Sequence, residues 1–416
     1  MRIQKLTESA AERIETKRRQ RDEKAEHAAA RIVRDVRRRG DRAAAEWAAR
    51  LDGARMASGR FWVSAGELSR ARRNAPAQVV RAIQQAAKNI RRVAERQLPQ
   101  LWTIGVEPGV SVGQTYRPLD RVGCYVPAGR FPLVSTLLMT VVPAQAAGVK
   151  DIVVACPRPA PEVLAAADLL GIRRVLRLGG AQAIAAMAYG TRAVPRVDKI
   201  CGPGNRFVTA AKRLVSADVA IDMPAGPTEL LVVAGRGNAR FIAADLLAQA
   251  EHDPDAVSLL VTWSEPLARG VLAELEKQIA TLPEGSPARK SLEQSGPIYV
   301  AASAEEAVAF ANRFAPEHLS LPDGAQLLDR IEAAGSVFVG PWSAQPAGDY
   351  ASGSNHVLPT AGWARARGGL SAADFLRPIA VQEMTRTGLG KLANSITTLA
   401  RCEGLEAHAR AIEVRR

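Results

Sequence analysis

Aromatic residues and long apolar runs are scarce in this sequence. Aromatic residues make up 5% of the 416 residues, although hydrophobic residues as a whole reach 47%. No run of about 20 apolar residues occurs, which argues against a membrane-spanning helix. Residues 1–39 alternate in charge where a secretory signal would place an apolar core. The composition predicts a soluble, cytoplasmic protein without a membrane partner, long enough for two or three structural units.

Cysteines are also few, and no two of them form a C-x-x-C pair. The four cysteines are Cys124, Cys156, Cys201 and Cys402. Their scatter favours reduced thiols over a disulfide framework. A G-x-G-x-x-G motif after the first predicted strand is missing as well, which argues against an ordinary Rossmann fingerprint. Gly179-Gly180 and Gly202-Pro203-Gly204 could hold phosphate at helix starts, although such glycine pairs are more often tight turns.

Positive charge is abundant, with a formal net charge of +14. Basic runs at Lys17-Arg18-Arg19, Arg37-Arg38-Arg39 and Arg72-Arg73 raise the alternative of a nucleic-acid-binding protein on an α/β scaffold. No aromatic residues interleave with these runs as stacking platforms would require. We therefore expect no nucleic-acid partner, and salt-sensitive retention on DNA without catalytic activity would reverse that expectation.

The first hundred residues are predicted to be mostly helical. Apolar spacing indicates helices over residues 24–39, 41–51 and 76–97, and Ser64 to Glu67 has the pattern of a capping box. Further along, short apolar runs alternate with alanine-rich helices, as in parallel βαβ units. The predicted strands are residues 121–127, 152–155, 175–178, 219–221, 230–234, 257–262, 298–301, 319–321 and 336–340.

These strands predict an α/β fold with two incomplete Rossmann-like open sheets, one inserted in the other. The expected division is a discontinuous α/β domain of residues 1–122 and 235–365 with a helical N-terminus. An inserted Rossmann-like NAD-binding domain would span residues 123–234. Residues 366–416 would form a C-terminal helical arm with too little apolar surface to be a domain, so it must dock on something, a partner subunit being one candidate.

A polar stripe is predicted at the end of one amphipathic helix. Asn238 is a candidate N-cap, and Pro254 should end the helix near His252. Asp245, Gln249 and His252 are spaced to share one helical face, so this helix end is a candidate site.

The second candidate is the pair Glu317-His318, which stands at a turn before a short strand. Adjacent carboxylate and imidazole groups could supply two general bases to one pocket, although a lone Glu-His pair is more often a solvated Glu and a satisfied His. A polar loop from Gly348 to His356 contributes Asp349. Near the C-terminus, Glu403 and His408 can converge only if Gly404 breaks the helix between them.

Together, Gln249, His252, Asp349 and His408 offer two nitrogen and two oxygen ligands, a set suited to zinc with room for substrate. The alternative, that the two histidines are unrelated surface residues, remains open from the residue pattern alone.

The sequence resembles the histidinol dehydrogenase family over nearly its whole length. The similarity is densest at residues 122–129, 179–186, 199–205, 221–227, 245–252, 316–319 and 347–360. The resemblance implies an intertwined homodimer that uses one Zn²⁺ per subunit and two NAD⁺ to oxidise L-histidinol, through L-histidinaldehyde, to L-histidine in the last steps of histidine biosynthesis.

Carried over by position, the resemblance implies the following roles. The zinc ligands would be Gln249, His252, Asp349 and, across the dimer, His408. The NAD contacts would be Tyr125, Gln182 and Asn205. His318 would take the hydroxyl proton and Glu317 would activate water. The substrate contacts would be Thr228, Gln249, His252, His318, Asp349, Glu403 and His408.

The sequence departs from the family pattern at a few positions. Thr228 replaces a usual Ser, and Asp253 replaces a usual Gly beside His252. Arg130 and the net positive charge leave an alternative function open. In that alternative the protein is a related zinc- and NAD-dependent dehydrogenase that acts on another polar alcohol, for example a sulfonated diol.

Overall fold

The N-terminal part of the chain is helical apart from its first residues. In the computed structural model, the described residues are 2–19, 22–53, 56–57, 60–128, 132–295 and 298–416. The N-terminal elements are strand β1 (Ile3–Lys5) and helices α1 (Glu8–Arg19), α2 (Glu23–Arg39), α3 (Asp41–Asp52), α4 (Ala65–Asn74) and α5 (Ala77–Arg96). Ser64 caps α4 in the predicted capping box, and Gly40, with φ of +57°, allows the sharp turn between α2 and α3.

A sheet with parallel strands follows a β-hairpin in the middle of the chain. The elements are β2 (Trp102–Glu107), β3 (Val110–Pro118), β4 (Arg121–Tyr125), α6 (Val134–Ala146), β5 (Asp151–Ala155), α7 (Pro161–Leu169), β6 (Arg174–Leu176), α8 (Gly180–Tyr189), β7 (Lys199–Cys201), α9 (Arg206–Val215) and β8 (Ala220–Ile221). Within the described residues, strands β4 to β8 form a parallel sheet in the order β6-β5-β4-β7-β8, the small sheet.

The large sheet is built mainly by the next part of the chain. Its elements are β9 (Glu229–Val233), α10 (Ala239–Ala250), β10 (Val257–Thr262), α11 (Glu265–Ile279), α12 (Ala288–Ser295), β11 (Ile298–Val300), α13 (Ala304–Phe314), β12 (His318–Leu321), α14 (Ala325–Leu328), β13 (Ser336–Val339) and α15 (Gln345–Tyr350). Among the described strands the order is β1-β11-β10-β9-β12-β13, with parallel pairing throughout.

The C-terminal segment differs from the predicted helical arm. It contains short 3₁₀ turns at Trp363–Arg365 and Ala372–Phe375, then strand β14 (Leu376–Met384), and only then helices α16 (Arg386–Cys402) and α17 (Glu406–Glu413). The prediction of a wholly helical arm was wrong because β14, nine residues long, pairs antiparallel with β3 along its length. With β2 on the other side of β3, these strands form the antiparallel sheet.

Both parallel sheets are covered by helices on their two faces, which explains why their strands read as continuous apolar runs. In β9, for example, Leu231 and Val233 pack into one core while Leu230 and Val232 pack into the other. The prediction of an α/β fold with two open parallel sheets is confirmed. No helix in the described part of the chain is both long and apolar enough to cross a bilayer.

Candidate active site

Predicted site residues gather at the amino edge of the large sheet. His318 is the first residue of β12, Glu317 directly precedes it, and Thr228 directly precedes β9. Gln249 lies in the last turn of α10, with the N-cap at Asn238 as predicted. His252 follows the end of that helix, and Asp349 lies in α15. Helix and strand ends therefore present these side chains at one edge.

A continuous series of contacts joins these side chains. The amide Nε2 of Gln249 donates to the hydroxyl of Thr228 at 2.6 Å, and that hydroxyl donates to Glu317 Oε2 at 2.5 Å. Glu317 Oε2 lies 3.7 Å from His318 Nδ1. His318 Nε2 lies 3.6 Å from Asp349 Oδ1, and Asp349 Oδ2 lies 3.8 Å from His252 Nε2.

The backbone of Glu229 holds the Glu-His pair in place. Its N–H donates to Glu317 Oε2 at 2.7 Å, and its carbonyl oxygen lies 3.0 Å from His318 Nδ1. A carbonyl can only accept, so Nδ1 carries a proton in this contact. In the neutral imidazole, Nε2 is then left with its lone pair directed away from β9.

Burial changes the ionisation of the pair. It raises the pKa of Glu317 from its ordinary 4.5 to about 7, against the lowering effects of His318, the Thr228 hydroxyl and the Glu229 N–H. Burial alone would lower the pKa of His318, but the charge of Glu317 and the contacts with Asp349 outweigh it, so the net direction is upward. Burial would raise the pKa of Asp349, yet His318 brings it below its usual value. Glu317 can therefore take up or release a proton near neutral pH.

The residues on this edge fit a divalent metal in donor chemistry. Gln249 Oε1 is buried and has no hydrogen-bond partner within the described part of the chain, which is costly unless a cation or donor binds it. His252 and Asp349 add a nitrogen and a carboxylate whose 3.8 Å separation suits two ligands of one ion. Among the described residues no three His, Cys, Asp or Glu side chains converge as a metal set.

His408 and Glu403 are exposed and have no described contact with this group of residues. The helix break that Glu403 and His408 need in order to converge is present. Helix α16 ends at Cys402, α17 begins at Glu406, and Gly404 between them has a φ of +76°. Their predicted role in a site shared across a dimer stays a prediction.

The predicted NAD contacts lie at the small sheet. Tyr125 ends β4 and its hydroxyl accepts the N–H of Gly180 at 3.0 Å. Gln182 is fully buried and donates to Asp52 Oδ2 at 3.0 Å. Asn205 caps α9 by accepting the N–H groups of Phe207 and Val208. The structure places these residues at the carboxyl ends of strands, where open α/β sheets bind ligands.

Other residues singled out from the sequence have local roles. Asp245 lies on α10 and receives the backbone N–H of Gln345, while burial raises the pKa of Asp245 to about 6. Asp253 is exposed and accepts the N–H of Asp255 at 2.9 Å, so it stabilises the turn after α10. Arg130, together with Gly129 of the densest block of similarity, lies outside the described residues.

Sequence reasoning missed residues that support the site. Gln345 is fully buried, and its amide donates to Asp349 Oδ2 at 2.7 Å. His356 donates from Nδ1 to the backbone carbonyl of Asp349 at 3.0 Å, and its Nε2 lies 3.3 Å from the hydroxyl of Thr136. In the sequence, His356 was noted only as the end of the polar loop that begins at Gly348. The Gln345–Asp349 contact could have been found from its i,i+4 spacing on one helix, whereas the contact of His356 with Thr136, 220 residues away, has no local signal.

Two arginines of the second basic run contact acidic or aromatic groups. Arg39 contacts Asp35 and Glu46, and Arg37 lies over the ring of Tyr189 at 4.6 Å. These contacts account for part of the positive charge without a nucleic-acid ligand.

Comparisons with known proteins point to one family. The family model described as histidinol dehydrogenase matches residues 15–416. Histidinol dehydrogenase from Methanosarcina barkeri is 45% identical over 394 residues, covering 92% of this chain and 90% of the relative. The enzyme of the same name from Methanothermobacter thermautotrophicus is 46% identical over 387 residues, with coverages of 91% and 90%. A crystal structure of histidinol dehydrogenase from Elizabethkingia anophelis superimposes with a TM-score of 0.94 at 38% identity, covering 100% of this chain and 98% of that one.

Proposed function

This chain belongs to the histidinol dehydrogenase family, and on that premise we propose that it oxidises L-histidinol through L-histidinaldehyde to L-histidine, with reduction of two NAD⁺. It is an oxidoreductase of histidine biosynthesis. The observation that carries the proposal is the buried Glu317-His318 pair, linked through Asp349 to His252 at the edge of the large sheet.

His318 is suited to remove the hydroxyl proton of the alcohol. Its Nδ1 proton is directed at the carbonyl of Glu229, so Nε2 is free to accept a proton. Nε2 has no hydrogen-bond partner among the described residues, although His318 is only 3% exposed. The imidazolium formed would be stabilised by the carboxylates of Glu317 and Asp349 on either side. Proton removal at Nε2 then accompanies departure of the hydride.

Glu317 is suited to activate water for the second oxidation. Thr228 and Glu229 both donate to Oε2, so Oε1 is the oxygen available to take a proton from water. A carboxyl whose pKa lies at about 7 is a better base near neutral pH than an ordinary glutamate. Because Glu317 and His318 are adjacent and 3.7 Å apart, one pocket can perform both oxidations without releasing the aldehyde.

We propose that zinc is held by Gln249, His252, Asp349 and His408 of the partner subunit, one ion per subunit. Bound there, zinc would orient the imidazole-bearing substrate and polarise its oxygen. The unsatisfied Oε1 of Gln249 and the carboxylate of Asp349 support this set from within one chain. Thr228 and, across the dimer, Glu403 would complete the substrate contacts.

We place NAD⁺, the hydride acceptor, at Tyr125, Gln182 and Asn205. The support is their position on the small sheet and the glycine turns beside them. Gly202, with φ of +112°, has no room for a Cβ, which would lie 2.2 Å from the Tyr125 carbonyl oxygen. Glycine at this position therefore lets the backbone after β7 pack directly against Tyr125, one of the proposed contacts.

The homodimer is proposed from exposed apolar surface. The antiparallel sheet leaves Trp102 and Ile104 exposed on one face, and Ile379 and Val381 exposed on the other. Apolar side chains exposed on both faces of a three-stranded sheet are typical of a surface that another protein covers. A second copy that covers it would also bring the neighbouring helices α16 and α17, with His408, towards the partner. The division into an inserted domain, a discontinuous domain and an arm, and a cytoplasmic location, remain predictions.

Turnover measurement tests the proposal. Purified, zinc-loaded protein given L-histidinol and NAD⁺ should form about two NADH per histidine, and a chelator should abolish the rate. Glu317→Gln, which keeps the shape of the side chain but not its charge, should be strongly impaired. A zinc-loaded dimer that is inert with histidinol but oxidises a sulfonated diol would contradict this substrate and favour the related dehydrogenase.

A further inference from the structure

Arg18, a residue of the basic run in α1, is not a surface charge. Its side chain is 5% exposed and forms an ion pair with Glu229, which is 2% exposed. Arg18 Nε donates to Glu229 Oε1 at 2.7 Å, and the second guanidinium nitrogen donates to Oε2. This is the two-point geometry that fixes both partners.

Arg18 has a second anchor on the segment that leads into the active site. Its Nη1 donates to the carbonyl oxygen of Phe314 at 2.7 Å, and its guanidinium carbon lies 3.4 Å from the centre of the Phe314 ring. Phe314 is the last residue of α13. Ala315 follows with a φ of +48°, a strained conformation for alanine. Only Pro316 separates that turn from Glu317.

Both anchors of Arg18 therefore hold the Glu-His pair. Glu229, on one side, supplies the backbone N–H to Glu317 at 2.7 Å and the carbonyl to His318 at 3.0 Å. Phe314, on the other side, fixes the strained turn from which Glu317 and His318 emerge. A shift of Arg18 would displace the pair from both directions.

We propose that Arg18 is a positioning residue for the proposed oxidation, which holds Glu317 and His318 in register through Glu229 and Phe314. The inference rests on the proposed function of that pair. Arg18 also neutralises the carboxylate of Glu229, a charge that would otherwise stand buried beside Glu317.

The electrostatic consequence gives a readout that packing alone would not produce. Ionisable groups facing Glu317 are His318 beside it, Glu229 on β9 with Arg18 behind, and Asp349 on α15 beyond His318. The charge of Glu229 raises the pKa of Glu317. Without Arg18 that effect is no longer offset, so the acidic limb of the rate profile should move to higher pH.

The chain offers a matched control at the same helix contact. Arg313 of α13 forms ion pairs with Glu8 and Glu15 of α1, so it joins the same two helices. None of its described contacts involves Glu229. Arg313→Met therefore weakens the docking of α1 without touching the pair that Arg18 holds.

The experiment compares Arg18→Met, Arg18→Lys, the double variant Arg18→Met/Glu229→Gln, and Arg313→Met in the zinc-loaded full-length dimer. Each is measured for Tm, for kcat and KM with histidinol, and for kcat against pH. Wild-type turnover is established first, because an inert wild type would defeat the proposed function and not this inference.

Arg18→Met should lower kcat by about 10- to 100-fold with a much smaller change in KM, and should move the acidic limb up by about one pH unit. The charge-neutral double variant should return the limb to its wild-type position. Arg18→Lys should lose part of kcat, since lysine cannot make the two-point contact. Arg313→Met should lower Tm while kcat stays within about twofold.

Two results would overturn the inference. One is a folded Arg18→Met protein with wild-type kcat and limb. The other is Arg313→Met reproducing the kinetic effect of Arg18→Met, which would reduce Arg18 to a packing residue. If Arg18→Met does not fold, the Arg18→Lys and double variants decide the matter by the same criteria.

Discussion

The raised pKa of Glu317 makes a prediction about stability that needs no substrate. Glu317 is 6% exposed and burial is the main cause of its pKa of about 7. In the unfolded chain the group returns to about 4.5. Between those two pH values the folded protein keeps a proton that the unfolded chain has released, so stability falls as pH rises through this window. Above pH 7 the whole penalty is present.

The size of the penalty follows from the pKa difference. A difference of about 2.5 corresponds to about 3 kcal/mol of unfolding free energy. The perturbation is Glu317→Gln, which retains an oxygen to accept from Thr228 and Glu229 but cannot ionise. Relative to the wild type, the variant should gain about 3 kcal/mol of stability as pH increases from 4.5 to above 7.

The assay is urea unfolding of zinc-free wild type and variant at several pH values from 4.5 to 8. His318 shifts the result in the same direction, because its pKa is raised by Glu317 and that stabilisation is lost as pH rises. A stability difference between the two proteins that stays constant across this range would refute the reasoning. It would mean that Glu317 titrates as an exposed carboxyl does.

Further predictions concern other buried polar contacts. Thr228→Val should lower the unfolding free energy by about 2–4 kcal/mol, because it removes the acceptor for Gln249 and a donor to Glu317. Thr228→Ser keeps the hydroxyl and should lower it by only about 1 kcal/mol, a difference that urea unfolding measures. Lys212→Met should cost about 3–5 kcal/mol by the same assay, since it leaves the buried Asp222 carboxylate without its cation. Gln249→Leu should weaken zinc binding by about tenfold or more in chelator competition, and unchanged affinity would remove Gln249 from the ligand set.

Most strands of the two parallel sheets could be predicted because each carries its own signal. The run from Glu229 to Val233 is apolar at every position after the first, as a strand buried on both faces requires. Strand β1 lacks such a signal. It is only three residues long and pairs with Ile298–Val300, 295 residues further along the chain. Strand β14 is exposed at every position after the first, so no core face marks it in the sequence, and its pairing with β3 could not be inferred from local pattern.

The candidate site was predictable as a set of residue types but not as an arrangement. The Glu317-His318 pair and the polar stripe on α10 stood out from spacing. The prediction that the three polar residues of α10 form one site was only partly right. Gln249 and His252 contact the site residues, whereas Asp245 contacts the backbone of α15. Thr228 was predicted as a site residue from the family resemblance, because no residue spacing pointed to it.

Arg18 shows that a basic run in the sequence does not reveal the partners of its side chains. From the sequence it belonged to a basic run and supported a nucleic-acid hypothesis. In the fold it is buried against Glu229, 211 residues away in the chain. The charge of a side chain says little about its partner until the fold brings the two together.

The proposed active site is shared by two chains, and subunit complementation tests this directly. His252→Asn and His408→Asn proteins, each inactive alone, are unfolded together, refolded as a mixture with zinc, and assayed for NADH formation from histidinol. Random pairing gives one intact site in half of the dimers, so activity should recover to about a quarter of the wild-type value. No recovery, from a mixture shown to contain the mixed dimer, would contradict a site built from His252 of one chain and His408 of the other.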